Sequence, residues 1–162
     1  MDYAASFNLV LPELVIGIAG LVLLLAAAWG GDKIARPIAI IAAAALFGAG
    51  VLTIPSLHAG AFGPDTLAFG SLIKVDSFAL FAKALIYLAA IGCLIVAPAF
   101  FNGPAAGADR GMRAEYPVLV LFATLGMSIM VSASDFITLY LGLELNSLAA
   151  YVLAAILTKD TR

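Results

Sequence analysis

Charge is what this sequence has least of. Only 11% of its 162 residues are charged, against about a quarter in ordinary soluble domains, so too little polar surface exists to cover a water-soluble globule. A single histidine, His58, removes His-based metal sites and catalytic triads. A single cysteine, Cys93, excludes an intrachain disulfide and the usual metal-binding Cys spacings. No basic cluster suggests nucleic acid as a partner. No phosphate-cradling glycine loop or nucleophile–base pair equips the chain as an independent enzyme. The N-terminus lacks the basic flank and small-residue cleavage site of a signal peptide, so its first apolar run is expected to stay as a helix.

What is present is apolar: 64% of the residues are hydrophobic. Five segments approach the roughly 20 helical residues needed to cross a bilayer: Leu9–Trp29, Ile34–Ile54, Phe78–Phe101, Pro117–Ala133 and Phe136–Leu157. The expected fold is an all-α, multi-pass transmembrane helix bundle, with residues 1–162 forming a single transmembrane domain in the lipid bilayer. Pro12, Pro37 and Pro117 fall near helix starts, where a missing N–H is harmless. Gly30-Gly31 closes the first span, and Pro98 lies late in the third and is expected to bend it. Only SASD (Ser132–Asp135) separates the last two spans, which must therefore be adjacent and antiparallel, with Ser134 or Asp135 as N-cap.

Lys33, Arg36, Arg110, Arg113, Lys159 and Arg162 all fall on one side of the spans, and Lys74 and Lys83 belong to the other. The positive-inside rule then places the N-terminus outside. Alternation from Leu67 to Val75 suggests a short strand or hairpin in the outer loop, and the Gly- and Ala-rich inner loop, residues 102–115, reads as flexible. Gly17/Gly20 and Ala44/Gly48 would allow close helix packing.

The fifth span contains LYLGLELNSLAAYVL (Leu139–Leu153), with Glu144 near its middle. A carboxylate at the centre of a membrane helix costs roughly 2.5–3.5 kcal/mol on insertion scales. At about 100° per residue, Tyr140, Glu144, Ser147 and Tyr151 share one face, and Gly142, Asn146 and Ala149 fall opposite. Such a helix is expected inside a bundle, with protein or water on both sides. Dehydration favours the neutral form of a carboxyl and a nearby cation favours the charged form. A group held between the two takes and releases protons, which makes Glu144 the candidate proton-relay residue. A protonated Glu144 that only fixes packing is the structural alternative.

Lys83 lies at a similar depth below the outer edge and is a candidate partner for Glu144. Against that stand snorkelling to the interface and pairing with Asp76 or Asp135. Asp135, Tyr140, Ser147 and Tyr151 complete the candidate relay residues. Glu13 reads as an interfacial or helix-start acid, Glu115 as a helix-start acid on the inner side, His58 as a loop residue and Cys93 as a core residue.

The run EYPVLVLFATLGMSIMVSASDFITLYLGLELNSLAAYVLAA (Glu115–Ala155), with its LYLGLEL core, resembles subunit N of proton-pumping NADH:quinone oxidoreductase, respiratory complex I. LPE (Leu11–Glu13) and KVDSFALFAK (Lys74–Lys83) add to the resemblance. It implies an antiporter-like, non-redox subunit in the bacterial inner membrane. Glu144 then matches the family's essential glutamate, whose lysine partner sits on a later helix beyond this sequence. This chain is expected to be the N-terminal part of a longer subunit or one piece of a split one. The resemblance further implies neighbouring antiporter-like and small membrane subunits as partners. FMN, iron–sulfur clusters and quinone belong to the complex as a whole, and no cofactor or metal is expected on this chain. A subunit of a multisubunit sodium/proton antiporter and a non-conducting membrane scaffold are the competing readings.

Overall fold

The computed structural model describes residues 3–58, 66–69, 72–101 and 111–157. In chain order the elements are α1 (Tyr3–Leu9), α2 (Leu11–Gly30), a 3-10 turn (Gly31–Ile34), α3 (Ala35–His58), β1 (Thr66–Ala68), β2 (Ile73–Val75), α4 (Ser77–Phe101), α5 (Glu115–Ser132) and α6 (Phe136–Leu157). The protein is an all-α membrane bundle with a small hairpin at one end. Helices suit lipid because every internal backbone group finds its partner within the segment.

Among the described residues, four stretches are long and apolar enough to cross a membrane: Leu11–Thr53, Ser77–Phe101, Glu115–Ser132 and Phe136–Ile156. The first includes both α2 and α3, which fold back on each other at Gly31. Gly31 takes φ 58°, a conformation in which a side chain would be strained. Helices α2 to α6 occupy the five apolar segments of the sequence. The largest offset is at the end of α3, which continues to His58 rather than stopping at Ile54, so His58 closes a helix instead of lying in a loop. Helix α4 passes through Pro98 and ends at Phe101. The inner-loop reading falls largely on residues 102–110, outside the described residues.

Helix α5 occupies the middle, packing against α2, α3, α4 and α6. Ile16 of α2, Leu46 of α3 and Val118 and Leu121 of α5 are fully buried there. Ala35, Ala39, Ala42 and Ala49 line the inner side of α3 and let its backbone approach its neighbours. Of the two small-residue pairs, Gly17 and Gly20 do face a neighbour: a Cβ on Gly20 would lie 3.1 Å from the Phe122 ring. Ala44 is exposed, and a Cβ on Gly48 would meet nothing within 4 Å. Large apolar side chains such as Leu21, Phe47, Leu88 and Ile95 point outward, as a lipid-facing surface requires.

The hairpin expected between Leu67 and Val75 is present, with β1 antiparallel to β2 and Leu67 opposite Lys74. Phe69, in its turn, takes φ 52° and packs edge-on against Phe7 of α1. Ile73 bridges to Ala133, and the Ser134 amide donates to the Leu72 carbonyl at 3.0 Å. Helix α1 and the hairpin thus sit at the end of the bundle where α2, α4 and α6 begin.

The closest approach in the fold is between α5 and α6. A Cβ on Gly126 would lie 2.7 Å from both the Gly142 carbonyl oxygen and the Asn146 amide nitrogen. One on Gly142 would fall 2.9 Å from the Gly126 carbonyl oxygen. Gly126→Ala and Gly142→Ala should each destabilise the helix pair by about 1–3 kcal/mol, the usual cost of overpacking. Equilibrium unfolding in mild detergent checks this, with Gly48→Ala as the unhindered control.

Candidate functional site

Of the three glutamates within the long helices, the fold treats Glu13 and Glu144 in opposite ways. Glu13 stands in the first turn of α2, where the sequence suggested an interfacial acid. It is instead buried, 7% exposed. Its Oε1 lies 2.6 Å from the Lys83 Nζ of α4. The Ser128 hydroxyl of α5 donates to the same oxygen at 2.8 Å. Tyr87, one turn beyond Lys83, places its hydroxyl 2.9 Å from the Ser128 Oγ. Since the Ser128 hydrogen is committed to Glu13, the Tyr87 hydroxyl is the donor in that bond.

Lys83 is 1% exposed, so it does not snorkel. Its ion-pair partner is Glu13, not Glu144, Asp76 or Asp135. Depth alone matched Lys83 to Glu144, but α5 lies between their helices and α6 packs principally on α5. The sequence placed Glu13 at the interface because it lies in the first turn of α2; the approach of Lys83 on α4 and Ser128 on α5 to that turn accompanies its burial.

The second glutamate, Glu144, is exposed on α6. Gly142 and Ala149 are buried and Asn146 lies beside Gly126, so the small face of α6 is the one that packs on α5. The polar stripe faces away: Tyr140 is 61% exposed, Tyr151 is 70% exposed, and Ser147 is half-buried. No described residue forms an ion pair or hydrogen bond with the Glu144 carboxylate. Among the described residues, only the small face of this helix is covered by a neighbouring helix.

The remaining acids have local work. Asp135 is the N-cap of α6, accepting from the Thr138 amide through Oδ1 and from the Ile137 amide through Oδ2, both at 3.2 Å. Ser134, the other candidate cap, is tied to the hairpin instead. Asp76 caps α4 by accepting from the Ala79 amide at 2.7 Å, and lies 3.7 Å from Lys74. Glu115 is an exposed acid in the first turn of α5. Cys93 is exposed on α4 rather than in the core. Among the described residues no group of three His, Cys, Asp or Glu side chains is placed to hold a metal.

One feature escaped the sequence reading. Thr124, Ser128 and Ser132 recur every four residues on α5, and all three hydroxyls are buried. Thr124 donates to the Val120 carbonyl at 2.7 Å and Ser132 to the Ser128 carbonyl at 3.2 Å. A T-x-x-x-S-x-x-x-S run in an apolar helix carries that signal, since the spacing places the three on one face. With Glu13, Lys83 and Tyr87 they form a polar strip inside an otherwise apolar bundle.

Breaking the ion pair from one side should cost about 3–5 kcal/mol, because the surviving charge stays buried and uncompensated. Glu13→Leu and Lys83→Met alone should each lower the yield and thermal stability of the subunit in membranes. The Glu13→Leu/Lys83→Met double variant should recover most of the loss. At α6, hydrogen bonds, foremost from the Thr138 side chain, hold the Asp135 carboxyl below its ordinary pKa. Its capping contribution is then fully present above the usual aspartate range and is lost as pH falls through the lowered value. Amide-exchange protection of Ile137 and Thr138, followed with pH, should collapse in that acid window, and Asp135→Ala should abolish the pH dependence.

No family model matches the chain. Three curated relatives share the printed name NADH-quinone oxidoreductase subunit N. The protein from Erythrobacter litoralis is 61% identical over 162 residues, covering 100% of this chain and 32% of the relative. That from Rhizorhabdus wittichii is 50% identical over the same length, with the same 32% of the relative covered. The Rhodobacter capsulatus protein is 40% identical over 154 residues, 94% of this chain and 30% of the relative. The chain thus spans about a third of the length of these relatives.

Proposed function

Since the chain belongs to the NADH-quinone oxidoreductase subunit N family, we propose that it serves in the membrane arm of that complex and contributes to proton translocation coupled to quinone reduction. Glu144 is the proton-exchanging group, and its cation comes from a segment that packs over the outward face of α6. One observation carries this reading. Helix α6 buries its small face against α5 and, among the described residues, leaves Tyr140, Glu144 and Tyr151 exposed with Ser147 half-buried beside them. Facing lipid, that stripe would set a carboxyl in hydrocarbon at a cost of roughly 2.5–3.5 kcal/mol. A polar or charged neighbour removes the cost, and the greater length of the relatives leaves ample chain to provide one.

Ser147 and the two tyrosine hydroxyls are placed to extend the exchange along the helix, and Asp135 holds the helix start in position. This subunit carries out no redox step. The complex's flavin, iron–sulfur clusters and quinone act on other subunits, and the neighbouring antiporter-like and small membrane subunits are its partners. The location is the bacterial inner membrane, with the N-terminus outside. In support, Lys33, Arg36 and Arg113 cluster at the end of the bundle opposite Lys74, and Asp32 there accepts from the Ala114 amide at 3.2 Å.

Glu144→Gln, introduced into the assembled complex, should leave assembly intact and lower coupled proton pumping by about 10²-fold, the lower end of what positioned acid–base groups contribute. Pumping and NADH oxidation in inverted membrane vesicles check this. Unchanged pumping in Glu144→Gln, or full activity in Glu144→Leu, would assign the residue to packing instead.

A further inference from the structure

We propose that Glu13 is a second proton-exchange site, on helices distinct from the one that carries Glu144. The proton-accepting atom is Oε2, and Lys83 is the fixed counter-cation. This goes beyond the reading of Glu144 and shares with it only the assembled complex as the setting.

The arrangement around Glu13 is one-sided. Lys83 at 2.6 Å and Ser128 at 2.8 Å both converge on Oε1, with Tyr87 reinforcing Ser128 from behind. Oε2 is buried and has no hydrogen-bond partner among the described residues. A bundle built only to staple α2 to α4 has no use for a bare carboxylate oxygen, because a buried unpaired acceptor is costly and native interiors satisfy nearly all of theirs. A proton answers that need, and so does a water molecule that brings one.

Among the described residues Lys83 is the one charged group in contact with Glu13. Helix α4 presents Lys83 and Tyr87, and α5 presents only hydroxyls along the Glu13 side. Between Pro37 and Thr53, α3 has no ionisable residue. Glu144 points away from it on α6.

The step balances simply. A hydronium ion gives its proton to Oε2 and leaves as water, and the carboxylate becomes a carboxylic acid. The Glu13–Lys83 pair passes from neutral to a net charge of +1, and release to water restores it. Loading removes the anion that Lys83 and Ser128 hold, so it loosens the grip of α2 and α4 on α5. The buried hydroxyls of Ser128 and Ser132 mark the approach, since α5 ends four residues beyond Ser128 at the hairpin end. Hydronium is the donor and water the product, and no further reactant is required.

The test is infrared difference spectroscopy on the whole complex, with and without NADH-driven turnover, in H2O and in D2O. The expected result is a carboxylic-acid C=O band that shifts in D2O, disappears in Glu13→Gln and persists in Glu144→Gln. In Lys83→Met, which removes the counter-cation, the band should change in frequency or intensity. If Glu13→Gln does not assemble, Glu13→Asp keeps the charge and should displace the band to another frequency. Difference spectra of Glu13→Gln or Glu13→Asp identical to those of the unmodified complex would overturn the proposal and leave the pair a fixed staple. Failure of the Glu144 reading would show separately, as unchanged pumping in Glu144→Gln with the Glu13 band still present.

Discussion

Three helices meet at one carboxylate oxygen. Glu13 comes from α2, Lys83 from α4 and Ser128 from α5, and their contacts fix how those helices sit around the bundle centre. In water the burial of apolar side chains would drive such an assembly. In hydrocarbon it does not, because lipid tails are as apolar as leucine, and association falls to close packing and polar contacts. Both kinds are concentrated on α5. Its hydroxyl side receives the ion pair, and Gly126, two residues from Ser128, meets the backbone of α6. The position of α6 is therefore set through α5 by groups that lie on neither α6 nor its surface.

The architecture was legible because it follows from composition. Apolar runs of spanning length, proline near helix starts and the short SASD link fixed the helices and the antiparallel pairing of α5 with α6. The alternation from Leu67 to Val75 located the hairpin. On α6 the periodicity was also a sound guide: Gly142 and Ala149 are buried, with Asn146 at the crossing, while Tyr140, Glu144 and Tyr151 face away.

What the sequence hid was the pairing of charges. Lys83 and Glu144 share a depth, and one-dimensional reasoning has no access to the helix that stands between them. Glu13 seemed interfacial because it lies two residues inside α2. Its burial comes with the approach of Lys83 on α4 and Ser128 on α5, which is a tertiary fact. Cys93 illustrates the inverse error. An apolar flank suggested the core, yet in a membrane helix both faces are apolar and the sequence does not say which one looks inward.

The crossing of α5 and α6 has a mechanical meaning. Where side chains mediate a contact, they can change rotamer and absorb a shift of one helix before the other feels it. At Gly126 and Gly142 nothing stands between the two main chains, so there is no slack to absorb. Any tilt or slide of α5 is handed directly to the turn of α6 that bears Glu144, making these two helices a single lever rather than two neighbours.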